Sequence, residues 1–186
     1  MTTSAQQLIE MARLASVVGP FDWGRVERRI GAAVPRDYRE LLDAGGGGIW
    51  LDWLRLYVPA PGVGLKHVDL ERSGVEFEQL QDLFEDEVVG RPDGLGPDSR
   101  LLPWASTGTG LTLYWQVSPE AAAGSYPIRV SDRNGDVWER YDLLTTDFLL
   151  GIIRGEVHSE LLNESWTKRD MLFKPYAGEP VQRHDA

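Results

Sequence analysis

The sequence contains no cysteine, and this absence excludes disulfide bonds, thiolate nucleophiles and zinc sites with cysteine ligands. It also has no run of about 20 apolar residues, so no membrane-spanning helix is expected. The first seven residues carry no basic cluster followed by an apolar stretch, which argues against a secretory signal. Together these absences predict a cytoplasmic protein that does not associate with membranes.

Positive charge is scarce as well. The chain of 186 residues has 19 lysines and arginines against 29 aspartates and glutamates, a formal net charge of −10. Nucleic acids and anionic membranes attract basic surfaces, so neither is expected as a partner. The same acidity suits a basic protein partner. The hydrophobic share of 42% is sufficient for one folded core, and the length fits a single domain.

Helical spacing of apolar residues dominates the first part of the chain. It predicts one helix over residues 4–18, whose first residues Ser4 and Gln7 fit a capping box. A second helix is expected after Asp22, and a third after Pro35 that ends at the glycines of residues 45–48. Further helices are predicted along the apolar stripe Phe77, Leu80, Phe84 and Val88, and from Thr145 or Thr146 to Gly155.

Strand patterns fill most of the remaining chain. Residues 49–58 are apolar on both faces, and residues 111–117 alternate between apolar and polar side chains. Residues 126–130 and 136–141 predict a hairpin with its tight turn at Asn134-Gly135. The order of these elements indicates an α+β fold, because helices come first and are followed by hairpin-connected strands and a final helix. We predict one domain over residues 1–174 and a flexible tail over residues 175–186.

No pattern of residues indicates catalysis or a cofactor. The three histidines, His67, His158 and His184, are isolated from one another. The glycines of residues 45–48 lack the Lys-Ser/Thr pair of a phosphate-binding loop, and a helix end explains them better. Residues 108–110 lack the third glycine of a dinucleotide-binding turn. We therefore expect no catalytic residue and no cofactor, and an unrecognised enzyme is the least favoured interpretation.

One segment imitates the start of a calcium loop. Asp132, Asn134 and Asp136 have the spacing of its first ligands, but the twelfth position, Leu143, lacks the bidentate glutamate. The hairpin explains these residues better, and no metal site is expected.

An ordered set of residues spans the second and third predicted helices: Trp23, Val26, Glu27, Gly31, Val34, Pro35, Tyr38, Leu41 and Leu42. A second set follows in order: Leu102, Pro103, Trp104, Gly110, Tyr114, Trp115, Phe148, Leu149 and Gly155. Over residues 21–155 the two sets resemble the SUKH superfamily, bacterial toxin-immunity proteins related to the yeast cell-wall-assembly regulator. Val34 departs from the leucine that is usual in that family.

The resemblance implies an α+β fold with a central sheet of about six strands and a C-terminal helix. It also implies a binding protein without cofactor or catalysis, which neutralises a toxin inside the cell, often a nuclease or a deaminase. The alternative is a housekeeping interaction or scaffold domain of the same fold, with several weaker partners. Either protein is expected to be a monomer or a weak homodimer.

Most of the negative charge lies in one segment. Residues 69–98 hold ten acidic residues and two arginines, a net charge of −8, and this stretch is not a motif of the family. On a helix, Glu78, Asp82, Glu85 and Asp86 fall together on one face. Like charges at these spacings repel by a few tenths of a kcal/mol per pair, so local stability does not explain the cluster.

A basic partner does explain this cluster. Nuclease toxins hold phosphates in basic clefts, so an acidic face can steer association and cover such a cleft. The predicted partner-binding residues are therefore Glu78, Asp82, Glu85 and Asp86, with Trp50 and Trp53 as candidate aromatic anchors. The alternatives are a solvated face for the acids and a core position for the two tryptophans.

Overall fold

Three short helices begin the chain: α1 (Ser4–Met11), α2 (Trp23–Ile30) and α3 (Arg36–Gly45). The computed structural model describes residues 2–15, 20–62, 64–162, 170–176 and 181–182. Asp22 caps α2 by accepting a hydrogen bond from the backbone N–H of Arg25, and Gly31 ends that helix in the left-handed conformation, at φ 69°. The helix predicted after Pro35 is confirmed.

The first helix is shorter than predicted. Its cap is Thr3, which exchanges hydrogen bonds with Gln6 in a capping box, one residue before the predicted pair. The helix ends at Met11, and Arg13 adopts a left-handed conformation with φ 48°. Apolar spacing alone did not indicate this change of backbone direction. Residues 16–19 of the predicted helix lie outside the described residues.

Residues 49–58 form a hairpin rather than the single strand that the sequence predicts. Strand β1 (Gly48–Trp50) turns through Leu51 and Asp52, whose φ angles are 54° and 60°, into β2 (Leu54–Leu56). The two strands pair antiparallel, with Trp50 opposite Leu54. The apolar pattern correctly indicated burial, but neither turn residue is a glycine that would signal a reversal.

Two 3-10 turns, Lys66–Val68 and Leu70–Arg72, precede α4 (Ser73–Glu85). Strand β3 (Arg100–Thr107) follows, although the sequence analysis did not predict it. Its residues are almost all buried and do not alternate, and Pro103 normally argues against a central strand. The register of β3 against its neighbour shifts between Pro103 and Ala105, and such an irregularity accommodates the missing N–H.

The remaining strands complete one antiparallel sheet. They are β4 (Thr112–Val117), β5 (Ile128–Ser131), β6 (Trp138–Tyr141), β7 (Met171–Pro175) and β8 (Val181–Gln182). Within the described residues the sheet has eight strands in the order β6-β5-β4-β3-β2-β1-β7-β8, two more than expected. The predicted hairpin between β5 and β6 is confirmed, but its connection runs over residues 132–137 and, of the predicted turn pair, Gly135 has a positive φ of 72° and Asn134 does not.

The sheet has helices on both faces. Because the sheet is antiparallel, the fold is α+β, as predicted. Adjacent residues in a strand point to opposite faces. Trp115 of β4 packs against Tyr38 of α3, with ring centroids 5.1 Å apart. Its neighbour Tyr114 packs against Trp138, which also contacts Phe84 of α4. Helix α4 therefore covers the face opposite to α3.

Helix α5 (Thr145–Arg154) ends at Gly155 as predicted, but its cap differs from the prediction. Thr145 and Thr146 lie inside the helix, and Asp37 of α3 accepts hydrogen bonds from the backbone N–H and the hydroxyl of Thr146. Thr145 instead accepts a hydrogen bond from the indole of Trp115. The cap comes from a residue 109 positions earlier in the chain, which a local pattern does not show.

The C-terminal segment predicted to be a flexible tail contributes to the sheet. Pro175 belongs to β7, and Val181–Gln182 pairs with β7 as the edge strand. Tyr176 donates a hydrogen bond to the carbonyl of Leu56, at 2.7 Å. The boundary at residue 174 is therefore wrong for these residues, while residues 177–180 and 183–186 of the predicted tail lie outside the described part of the chain.

Candidate acidic docking face

Helix α4 has one face against the sheet and one face toward solvent. Phe77 and Phe84 are buried, two turns apart, and each ring lies beneath an arginine guanidinium: Arg100 at 5.9 Å and Arg91 at 5.4 Å. Leu80 is partly buried between them. These contacts fix the rotation of the helix about its axis, and that rotation decides which residues face solvent.

The four predicted acidic residues all lie on the exposed side of this segment. At 100° per residue, Glu78, Asp82 and Glu85 fall within about 60° of one another. Asp86, the residue that ends the helix, continues the same surface. We call the surface formed by these four residues together with Val75 and Leu83 the acidic docking face.

Val75 and Leu83 are the apolar members of this face, and the sequence analysis did not single them out. Val75 is 49% exposed and Leu83 is 39% exposed, although large apolar residues on an amphipathic helix normally face the core. By helical spacing Val75 falls between Asp82 and Asp86, whereas Leu83 falls between Asp86 and Leu80 of the apolar stripe, so the spacing indicated the exposure of Val75 but not that of Leu83. The exposed surface therefore combines apolar contacts with negative charge.

Val88 does not belong to the buried stripe in which the sequence placed it. The helix ends at Glu85, and Glu87 then adopts a left-handed backbone with φ 55°. The chain turns there, and Val88 is 66% exposed. Its neighbour Val89 is partly buried against the core instead.

The negative charge of the face is not balanced within the helix. The last turn of α4 carries no basic residue, so Glu85 and Asp86 lie at the negative end of the helix dipole without a local cation. Gln81 donates a long hydrogen bond of 3.4 Å to Glu85. This arrangement costs stability by an amount on the order of 1 kcal/mol and makes the surface attractive to cations.

Not every acid of residues 69–98 contributes to that surface. Glu71 is buried, and its carboxylate accepts a hydrogen bond from the guanidinium of Arg25 at 3.2 Å. The guanidinium of Arg29 lies 3.4 Å from the same carboxylate, so the two arginines of α2 neutralise its charge. Asp69 caps the second 3-10 turn by accepting from the N–H of Glu71. These two acids hold α2 and the start of α4 together, and the outward charge lies further along the segment.

Glu76 is a half-buried acid at the margin of the docking face. Burial raises the pKa of its carboxyl from 4.5 to about 7, the cation of Arg72 opposes this shift and the negative charge of Asp69 adds to it. Burial also raises the pKa of Tyr57 to about 12, with a further contribution from Glu76. Glu76 is therefore the carboxyl of this helix whose charge changes near neutral pH.

The two candidate aromatic anchors do not join the docking face. Trp50 is completely buried, and its ring packs 4.9 Å from that of Phe173, so it is a core residue and its assignment to a partner surface is wrong. Trp53 is partly buried and packs against the core. Both lie in the hairpin β1–β2, and β1 pairs with β7. The structure thus brings the four acids together and separates the tryptophans from them.

A cleft of about 1040 Å³ lies among the first residues of the chain, α3 and the start of α5. Three of its four carboxylates have structural hydrogen bonds: Asp37 caps α5, Asp43 accepts from the indole of Trp23, and Asp147 accepts from the hydroxyl of Ser4. These bonds join the helices to one another.

No group of three or more histidines, cysteines or carboxylates able to hold a metal ion occurs among the described residues. Asp132 accepts a hydrogen bond from the N–H of Val137 across the hairpin turn. None of the helices in the described ranges is long and apolar enough to cross a membrane.

No family model, curated protein or solved structure matches the chain. The resemblance to the SUKH superfamily therefore depends on the ordered residues of the sequence alone.

Proposed function

We propose that the chain is an immunity protein that binds and neutralises a cognate bacterial toxin, of the nuclease type, in the cytoplasm. It acts by binding alone, without catalysis or cofactor. The acidic docking face covers the basic cleft in which the toxin holds nucleic acid. The observation that carries this proposal is the exposed side of α4, where Glu78, Asp82, Glu85 and Asp86 lie together and where Val75 and Leu83 are exposed as well.

Charge and apolar contact have different roles in such a complex. Exposed carboxylates chiefly raise the rate of association, since long-range attraction orients a basic partner before contact. Apolar residues that become buried at the centre of an interface chiefly slow dissociation. Leu83 and Val75 therefore replace the tryptophans as the proposed anchors.

We expect the gene immediately upstream to encode a large secreted protein that ends in a small basic domain, and the test uses that domain; the absence of such a gene would favour the scaffold interpretation. We expect the chain to inhibit that domain and to rescue cells that express it. A variant without the four charges is made: Glu78→Gln/Asp82→Asn/Glu85→Gln/Asp86→Asn. At low salt its association rate is expected to fall by about tenfold or more, and that rate is expected to depend less on ionic strength. The variant Leu83→Ala is expected to dissociate faster, with little change in association rate.

A matched control removes the same number of charges elsewhere. Four exposed glutamates outside α4 are replaced by glutamine: Glu10, Glu120, Glu156 and Glu160. This control is expected to retain most of the association rate. Equal slowing by both variants would show that net charge alone attracts the partner and would contradict the docking face. Several weak partners without rescue would favour the scaffold interpretation.

A further inference from the structure

The face of the sheet on which α4 lies also carries a group of polar side chains beside the start of that helix. Ser73 donates a hydrogen bond from its hydroxyl to the carbonyl of Pro103 at 2.6 Å, which fixes the helix on β3, and Glu76 follows one turn later. Tyr57 flanks β3 on one side, where its N–H donates a backbone hydrogen bond to that strand, and Tyr114 of β4 lies opposite Pro103 on the other side. Burial raises the pKa of both phenols and the negative charge of Glu76 adds to the shift, so these three side chains lie close together.

A row of hydroxyl groups lies beside these tyrosines. Ser106 of β3 has Thr112 of β4 directly opposite it on one side and Arg55 of β2 on the other. Residues that lie opposite each other in antiparallel strands share a face, with Cβ atoms about 5 Å apart. Hydrogen bonding from the Ser106 hydroxyl partly opposes the raised pKa of Tyr57, and Thr112 does the same for Tyr114. We call the surface formed by these residues the polar sheet surface: Arg55, Tyr57, Glu76, Ser106, Thr112 and Tyr114.

Arg55 is the residue of this surface that points to a ligand. Its side chain is partly buried, and its guanidinium forms no hydrogen bond or ion pair with a residue that the structure describes. Glu76, the acid of the same surface, is half-buried with its pKa raised by burial to about 7, and it forms no ion pair within the described ranges either. A cation and an acid on one sheet face are thus both left without an ion-pair partner. Titratable groups perturbed in this way are characteristic of binding and catalytic sites.

The hydrogen-bonding capacity of the polar sheet surface selects its ligand. A guanidinium carries five donors in one plane and binds the two oxygens of a carboxylate or phosphate in parallel. The hydroxyls of Ser106 and Thr112 both donate and accept, and so do the two phenols, whose raised pKa keeps them protonated at neutral pH. Groups that donate and accept at once are matched by the hydroxyls of a ligand. The surface therefore suits an oxyanion that also carries hydroxyl groups.

The surface is elongated as well. Arg55 and Tyr57 are two residues apart along extended backbone, so they share a face and lie about 7 Å apart. The guanidinium of Arg55 extends toward the turn after β3, since a Cβ atom at Gly108 would lie 3.6 Å from its Nη2. Glu76 lies at the other end, beside the tyrosines. A ligand that reaches both ends has its anionic group at one end and its hydroxyls along several atoms.

We propose that the polar sheet surface binds a small polyhydroxylated anion, a sugar phosphate or a sugar acid, with its oxyanion on Arg55 and its hydroxyls between Thr112 and Glu76. This inference goes beyond the proposed function and does not depend on it. The docking face lies on the exposed side of α4 and attracts a basic protein. The polar sheet surface lies on the sheet beside that helix and recognises a small molecule of negative charge by direct contact.

The experiment titrates four compounds separately into the isotope-labelled full chain and follows the backbone amide signals: glucose 6-phosphate, gluconate, glucose and inorganic phosphate. We expect saturable shifts centred on Arg55, Ser106 and Thr112 with glucose 6-phosphate or gluconate, and the tighter of the two identifies the oxyanion as a phosphate or a carboxylate. Glucose and inorganic phosphate each supply only part of the proposed contacts. Each is therefore expected to bind about tenfold or more weakly than the tighter anion.

Two variants test the surface, and each does so independently if the other does not fold. Arg55→Gln is expected to weaken binding of the tighter anion about tenfold or more, because it removes the charge-assisted hydrogen bonds. Thr112→Val removes one hydroxyl at nearly constant side-chain size and is expected to weaken binding several-fold. The matched control is Arg36→Gln, which removes an exposed arginine of α3 on the opposite face. Its affinity is expected to stay within about twofold of the original, since this charge acts only at a distance.

Three results would overturn this inference. They are the absence of saturable shifts with both glucose 6-phosphate and gluconate, binding of inorganic phosphate as tight as that of glucose 6-phosphate, and equal weakening by Arg55→Gln and Arg36→Gln. The spectra also show whether each variant is folded. No titration contains a partner protein, so failure of the polar sheet surface is distinguishable from failure of the proposed function.

Discussion

Glu76 lies where the buried and exposed sides of α4 meet, and its proton links the stability of the fold to pH. The folded protein raises the pKa of this carboxyl from 4.5 to about 7, chiefly through burial. The folded state therefore binds the proton more tightly than the unfolded chain does. The stability contributed by this group is fully present below about pH 4.5 and is lost as the pH rises through about 7.

We expect Glu76→Gln to flatten this dependence, since glutamine has no proton to lose. Between pH 5 and pH 8 the original chain is expected to lose about 1 kcal/mol more stability than the variant, a value already reduced for the solvent-exposed part of the side chain. Urea denaturation at a series of pH values measures the difference. Glu78→Gln, an exposed neighbour, serves as control, and an identical slope in all three proteins would contradict the assignment.

At the scale of single residues, the sequence predicted which side chains of a helix face solvent better than it predicted which face of a strand lies against the core. The four acids of the docking face follow from helical spacing, because the same 100° rotation that buries Phe77 exposes Asp82. Trp50 shows the limit of this reasoning. Its strand is apolar on both faces, and an aromatic residue in such a strand fits a core and an interface equally well. Only Phe173, packed against it from the end of the chain, decides between them.

At the scale of elements, helix α5 depends on a cap supplied by another helix. Asp37 accepts from the N–H of Thr146 at 2.7 Å and from its hydroxyl at 2.9 Å. These bonds satisfy a free donor at the helix start and place a negative charge at the positive end of the dipole. One side chain thus fixes both the start of α5 and its position against α3.

Replacing Asp37 with alanine is expected to lower the free energy of unfolding by about 1–2 kcal/mol, the usual cost of a lost helix cap. The variant Asp37→Asn keeps an oxygen acceptor and loses the charge, so it is expected to recover part of that loss. Chemical denaturation measures both variants. Equal stability of Asp37→Ala and the original chain would show that α5 does not need this cap.

The missed elements have a common physical reason. Strand β3 has no alternation because both of its faces are covered, and Pro103 is tolerated only because the register shifts beside it. The cap of α5 and the register shift both depend on segments that are distant in sequence. Local spacing predicts helices α2, α3 and α4 because each buries one stripe, whereas a fully covered strand shows no stripe.

At the scale of the whole molecule, the sheet joins segments that are far apart in the sequence. Strand β1 pairs on one side with β2 and on the other with β7, where Trp50 lies opposite Phe173. Gly48 fits this pairing because a Cβ atom there would lie 2.5 Å from both the carbonyl of Lys174 and the ring of Phe173. Strand β7 is therefore part of the core.

Phe173→Ala tests this closure. Removing a buried ring is expected to lower the free energy of unfolding by about 3–5 kcal/mol, because the cavity beside Trp50 is not refilled. The control Lys174→Ala changes an exposed neighbour of the same strand and is expected to cost less than about 0.5 kcal/mol. Thermal or urea unfolding measures the pair, and a small loss for Phe173→Ala would show that β7 adds little to the core.

The place of β7 beside β1 also imposes an order on folding during synthesis. Residues 48–56 leave the ribosome long before residues 171–175 have been made, so the hairpin β1–β2 has one unpaired edge until then. Pairings between such distant segments also form more slowly than local ones. The nascent chain therefore presents Trp50 and an open strand edge until residues 171–175 emerge, and this part of the sheet closes only then.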